Sequence, residues 1–131
     1  MVNVPEGLRY TKTHEWVNVE DGVATMGATD YAQSELGDIT YIELPEPGTE
    51  VTQTEPMGVI ESVKAASDVY AAVSGEVTEI NQDVVDAPET VNSSPYDAWF
   101  VRIRMSNPEE LDNLMNAEDY ETYVAEQEGG H

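Results

Sequence analysis

Residues 58–77, GVIESVKAASDVYAAVSGEV, constrain the fold more than any other stretch. Val59, Ile60 and Val63 form one short apolar run, and Val69, Tyr70, Val73 and Val77 form another. Alternating, β-branched runs of this length read as strands, and the small-residue segment Lys64-Ala65-Ala66-Ser67 between them reads as a turn. The second strand is expected to continue through Glu76–Ile80. A lysine at such a tip has its amine in water and does nothing to hold the fold. The only other lysine in the chain is Lys12. Lys64 is thus either an ordinary exposed turn residue or a point of covalent attachment. Its charged neighbours in sequence, Glu61 and Asp68, are both acids, which argues against a Schiff-base or general-base role.

Before this hairpin, Glu15–Val19 and Val23–Gly27 flank Asp21-Gly22 and predict a β-hairpin. Thr29 or Asp30 is placed to cap a short helix through Leu36, with Gly37 to end it. Ile39–Leu44 alternates as a strand does, and Pro45-Glu-Pro-Gly48 breaks it. After the hairpin, residues 81–95 hold Pro88, Pro95, Asn92 and paired serines and read as a long surface loop. Residues 98–105 read as the last strand, with Trp99, Val101, Ile103 and Met105 on one face and Arg102 and Arg104 on the other. Asn107-Pro108-Glu109-Glu110 has the form of a capping box, and Asn116 is placed to cap a second helix carrying Tyr120, Tyr123 and Val124. Residues 127–131 read as a frayed tail in which His131 has no neighbouring ligand group. Many short strands between Gly and Pro turns predict an all-β, closed or sandwiched architecture with peripheral helices.

The chain has 131 residues, the size of a single domain: a core over about residues 10–105 and a C-terminal helical segment over about 107–126. The absence of cysteine excludes disulfides and thiolate chemistry. No apolar run approaches the roughly 20 residues needed to cross a bilayer. The first seven residues have neither a signal-peptide pattern nor an Arg-rich presequence, so a cytoplasmic, unprocessed protein is expected. Asp and Glu number 27 against 5 Lys and Arg, a formal net charge of −22. Binding to nucleic acid or an anionic membrane needs a basic footprint, which is absent. The acids are dispersed rather than clustered, as on a surface adapted to a salt-rich cytoplasm, and a halophilic archaeal source is expected.

Few other chemistries survive inspection. Two histidines, His14 and His131, do not build a zinc site of the usual kind. The glycines are scattered singly and form no phosphate loop. Carboxylates are too numerous for any pair to be singled out, and there is no nucleophile elbow. These residues do not suggest an enzyme.

The segment from Glu61 to Val77 resembles the lipoyl-lysine hairpin of the H proteins of the glycine cleavage system. Further blocks match in order: Tyr10 with Thr13-His-Glu-Trp-Val17, Thr29-Asp-Tyr-Ala-Gln33, Leu36-Gly-Asp-Ile39, Glu43-Leu-Pro45 with Gly48, Val91-Asn92, Ser94-Pro-Tyr96 and Trp99. The likeness runs from about Tyr10 to Tyr123. It implies the barrel-sandwich hybrid of lipoyl and biotinyl carriers, with lipoate bound covalently to Lys64. It also implies that Glu61 and Gly75 are positions on which the attaching enzyme, a lipoate ligase or lipoyl synthase system, depends.

The resemblance implies a monomeric, non-catalytic shuttle with three partners. A glycine decarboxylase (the P protein) loads an aminomethyl group. An aminomethyltransferase (T) passes its carbon to tetrahydrofolate, and dihydrolipoyl dehydrogenase (L) reoxidises the carrier. The loaded arm ends in a cationic amine, which a carboxylate would hold; Glu15 and Asp68 are the candidates. Two departures stand out: Ala72 where the family usually has proline, expected to affect only strand stiffness, and Asp97-Ala98-Trp99 where it often has Gly-x-Gly-Trp. Biotin carriers usually have methionine on both sides of the lysine, where this chain has Val63 and Ala65. Lipoyl domains of 2-oxo acid dehydrogenases usually have aspartate before the lysine, together with flexible linkers. The alternatives left open are a relay that passes lipoyl groups to other proteins and an acidic β interaction module without cofactor.

Overall fold

Strands that alternate apolar and polar residues must bury one face. Here two antiparallel sheets bury theirs against each other. The computed structural model describes residues 3–129; Met1 and Val2 of the N-terminal segment and His131 of the expected tail lie outside it.

The larger sheet is built from β1 (Arg9–Tyr10), β2 (Glu15–Glu20), β3 (Val23–Ala28), β5 (Glu50–Val51), β8 (Gly75–Ile80) and β9 (Val101–Met105), in the order β1-β2-β3-β9-β8-β5. The smaller one contains β4 (Ile39–Glu43), β6 (Pro56–Ser62) and β7 (Ala66–Tyr70), in the order β4-β6-β7. Val17, Met26, Val77, Val101 and Ile103 of the larger sheet meet Ile39, Ile42, Ile60 and Val69 of the smaller in one apolar core. Burying each such side chain contributes about 1.5–3 kcal/mol. This two-sheet arrangement is the barrel-sandwich expected.

The first hairpin turns at Asp21 and Gly22, both at positive φ, as a tight hairpin turn requires. Thr29 caps α1 (Asp30–Leu36) by accepting the Ala32 N–H, and Gly37 ends that helix at φ 82°. Asn116 caps α4 (Ala117–Gly129) by accepting the Asp119 N–H at 2.8 Å. A second cluster, Tyr10, Trp16, Tyr31, Ala117, Tyr120 and Val124, fastens α4 to α1 and the edge of the larger sheet, with the Tyr10 and Tyr120 rings stacked at 4.6 Å.

Several local expectations are corrected. β8 does not continue the lysine hairpin: β7 ends at Tyr70, and residues 71–74 carry the chain from the smaller sheet into the larger. The segment 81–95 is not one loop but holds α2 (Gln82–Asp86) and α3 (Thr90–Ser93), which bury Val84 and Val91 in the core. The last strand starts only at Val101, and Trp99 lies not opposite Arg102 but under it, with the guanidinium 4.2 Å from the ring centre. Arg102 and Arg104 each pair with a glutamate on β8, Glu79 and Glu76. Asn107 makes no capping hydrogen bond to the 3-10 helix Pro108–Asn113; the Glu110 carboxylate instead binds the Ser74 N–H and hydroxyl, both at 2.7 Å. Residues 127–129 belong to α4 rather than to a frayed tail.

Candidate functional site

The β6–β7 hairpin places Lys64 at an exposed tip. The turn is held by Ser62, whose N–H donates to the Ala65 carbonyl at 2.8 Å. The Ser62 hydroxyl oxygen accepts the N–H groups of Lys64 and Ala65 at 3.3 and 3.1 Å. Neither Val63 nor Lys64 adopts positive φ. The side chain of Ser62 therefore shapes this tip, in place of the left-handed residues of an Asn-Gly turn. Beside Lys64, Val63 is 70% exposed, an unusual position for a large apolar residue. A contact to the body of the protein comes from the Val63 N–H, which donates to the Asp38 carbonyl at 3.0 Å.

The five sequence candidates do not form one cluster. Glu61 is exposed on β6, opposite Ala66 and Tyr41, on the outer face of the smaller sheet. Asp68 is exposed on β7, opposite Val59. Gly75 is buried at the start of β8 in the other sheet, where an added Cβ would lie 2.0 Å from the Arg104 carbonyl oxygen. Both the approach of β9 and its φ of 153° call for glycine here.

Glu15 is only 3% exposed. Its carboxylate accepts the Thr11 and Thr13 hydroxyls and the Tyr70 N–H, the last at 3.1 Å. Burial pushes its pKa up to about 7, while those three hydrogen bonds oppose the rise. His14, at φ 71°, donates to or accepts from the Tyr120 hydroxyl at 2.9 Å and packs against Tyr31, and burial lowers its pKa. Among the described residues no group of three or more His, Asp or Glu converges as a metal site would require.

Thr11 and Thr13 also line a cavity of about 300 Å³ with Gln53, Thr54, Ala71, Ala72 and Leu114 among its walls. Ala72 is thus not a strand residue; it sits in the crossover between sheets and forms cavity wall. Gln53 stitches this wall together, donating through its amide to the carbonyls of Ala72 and Glu110 at 3.0 and 3.1 Å. Thr54 is held at φ 72°, an uncommon conformation for a β-branched residue, where its N–H donates to the Ala71 carbonyl. Sequence reasoning missed these cavity residues. The Thr-x-Thr-x-Glu spacing was visible, but nothing in it revealed that both hydroxyls turn to one buried carboxylate.

Two features lie near the tip: the lysine stem's course and a cavity beyond the end of β7. The lysine stem runs over Gly37, where an added Cβ would stand 3.5 Å from Lys64 Cε. β7 spans roughly 13 Å from the tip toward Tyr70. Beyond Tyr70 the cavity opens, with threonine hydroxyls backed by an acid.

Comparison with known proteins agrees. A family model described as "Glycine cleavage H-protein" matches residues 8–127. The glycine cleavage system H protein of Geobacillus kaustophilus is 54% identical over 126 residues, covering 95% of this chain and 99% of its own. That of Halothermothrix orenii is 51% identical over 128 residues, covering 97% and 100%. The crystal structure of the H protein from Mycobacterium marinum superposes with a TM-score of 0.83 at 31% identity, covering 98% of this chain and 100% of its own. With the fold, the projecting lysine and these likenesses together, the chain belongs to the glycine cleavage H-protein family, the non-catalytic carriers whose lysine-bound lipoate serves glycine cleavage.

Proposed function

We propose that Lys64 is the lysine that carries the lipoyl group. The observation that carries this reading is the exposure of Lys64 at a tip whose backbone is fixed by Ser62 and by Asp38. An acylating enzyme needs a projecting amine with small neighbours, and Ala65 and Ala66 leave room around it. When bound, the lipoyl disulfide supplies the redox-active sulfur pair that takes up and gives up the aminomethyl carbon. Glu61, exposed on the strand leading to the tip, is available to the attaching enzyme, a lipoate ligase or lipoyl synthase system. Gly75 acts only indirectly, by allowing β8 and β9 to meet.

In this reading the cavity beyond Tyr70 receives the arm between encounters with the P, T and L proteins. Apolar walls suit the acyl chain. The hydroxyls of Thr11 and Thr13 donate to Glu15, and the Thr11 oxygen in turn accepts the Glu15 N–H at 3.0 Å, which leaves the Thr13 oxygen as the freer acceptor for a cationic amine at the arm's end. Glu15 supplies the countercharge from behind, and Asp68 lies along the route on β7. A positive charge in the cavity would favour the ionised carboxylate of Glu15, releasing the proton that burial retains near neutrality. The chain's own task is to hold, orient and shelter.

The protein acts as a single-domain monomer in a salt-rich cytoplasm, and a halophilic archaeal source fits its surface. The support is the charge of −22 spread over the chain, against which the described residues set two ion pairs, both between β8 and β9. Among the described residues, no helix is long and apolar enough to cross a membrane.

Intact and peptide mass spectra of protein from its native source test the attachment site. A lipoyl mass increment on Lys64, with loss of tryptic cleavage there and normal cleavage at Lys12, is expected. A lipoyl group on Lys12, or an unmodified Lys64 from cells with working lipoylation, would overturn the assignment.

A further inference from the structure

We infer that Asn92 is a positioning residue for the lysine-bearing tip, acting from α3 through the turn 37–39. The inference rests on the reading of Lys64 as the acylated residue.

Asn92 directs both of its side-chain N–H donors and its amide oxygen to residues 33–39. Its amide nitrogen donates to Gln33 Oε1 and to the Gly37 carbonyl, both at 2.9 Å. Its amide oxygen accepts the Ile39 N–H at 2.9 Å. The two sides of the turn are thereby clamped by a single side chain. Asp38 lies between the clamped residues, and its carbonyl accepts the Val63 N–H at 3.0 Å. The Lys64 stem lies against Gly37 itself, whose φ of 82° disfavours most other residues; a Cβ there would stand in ordinary contact with Lys64 Cε at 3.5 Å.

Two separate devices therefore act on the tip. Ser62 sets its internal shape, through bonds that lie wholly within the hairpin. Asn92 sets its orientation relative to the body, by way of Asp38. A hairpin tip tied only to itself would rock about its strands, and an enzyme that grips both the tip and the flanking surface would meet the amine in many directions.

In the acylation that this positioning serves, the Lys64 amine attacks the carbonyl carbon of an acyl adenylate. A carbon–nitrogen bond forms and the carbon–oxygen bond to the phosphate breaks. AMP leaves with the electron pair, and the amine's proton passes to solvent.

The test uses the apo protein with lipoate, ATP and purified lipoate ligase. Asn92→Asp keeps the acceptor for Ile39 but points a carboxylate oxygen at two carbonyl-type oxygens. It is expected to raise the KM for the carrier about tenfold, as for one lost anchoring hydrogen bond, with kcat within about twofold. Amide exchange at Val63 should quicken in the same variant, while exchange in β8 and β9 stays as it was. Gln33→Met, which removes one partner of the clamp and keeps a good helix former, should shift KM the same way by less, and it serves if Asn92→Asp does not fold. Val84→Ala loosens the neighbouring helix through the core and should leave KM unchanged in the folded protein. Equal KM and equal Val63 exchange in wild type, Asn92→Asp and Gln33→Met would overturn the inference, as would a KM rise in Val84→Ala as large as in Gln33→Met. A wild-type protein that is acylated at a residue other than Lys64 would overturn the attachment reading itself, a result distinct from these.

Discussion

The Glu15 carboxylate accepts the Tyr70 N–H at 3.1 Å, joining the first residue of β2 to the last residue of β7, the strand that descends from the lysine tip. A buried acid thus completes the hydrogen bonding of β7 at the point where the chain leaves the smaller sheet. Its ionisation should show in the stability of the whole protein.

Burial raises the Glu15 pKa from its ordinary 4.5 to about 7, so the folded state holds this proton more tightly than the unfolded chain. The resulting stabilisation is complete below about pH 4.5 and is lost as pH rises through 7. Wild type should lose on the order of 3 kcal/mol across that window relative to Glu15→Gln. His14 acts in the opposite sense, since a lowered pKa withdraws stability as pH falls below 6.5; it is common to both proteins and cancels. Urea denaturation of the pair between pH 4.5 and 8 measures the difference, and a constant difference across that range would refute the assignment.

Loading the arm with its cationic amine should be protected by the same carboxylate. Solvent hydrolysis of the aminomethyl-loaded carrier should accelerate several-fold in Glu15→Gln and less in Asp68→Asn, measured by formaldehyde release without the transferase present. Equal hydrolysis in both variants and wild type would remove Glu15 and Asp68 from arm docking.

Gly75→Ala should destabilise by about 3 kcal/mol or more, because the new methyl has a backbone carbonyl rather than a movable side chain in its way. Acylation of the folded fraction should proceed at the wild-type rate. A stable but poorly acylated Gly75→Ala protein would instead make this glycine a contact for the attaching enzyme.

Salt should govern stability in the direction set by the net charge. The screening length falls from about 10 Å at 0.1 M to about 3 Å at 1 M, which removes most repulsion between neighbouring surface acids. Circular dichroism during dialysis from high salt to dilute buffer should reveal partial unfolding. Full retention of structure would separate the acidic composition from salt adaptation.

The sequence made the strands and the tip legible because their signals are local: alternation in Ile39–Glu43, Asp21-Gly22 at the turn, Thr29 and Asn116 at the caps. It concealed what depends on residues far apart. Val73 and Val77 continue the alternation begun at Val69, so the change of sheet at Ala71 is invisible in the pattern. Pro88 and the serines suggested loop, although Asn81 caps α2, and Val84 and Val91, one in each short helix, reach the core. Glu15 stands out in the sequence only within its Thr-His-Glu-Trp block; its burial comes from packing that no single strand encodes.

The crossover 71–74 gives one stretch of backbone two duties. It terminates the strand that carries the lysine, and it supplies Ala71 and Ala72 to the cavity wall, with Ser74 locked to Glu110 and Gln53 bonded across it. Under the proposed docking, pivot and berth share this one stretch of backbone, and movement of the tethered arm between partners asks no change of its hydrogen bonds.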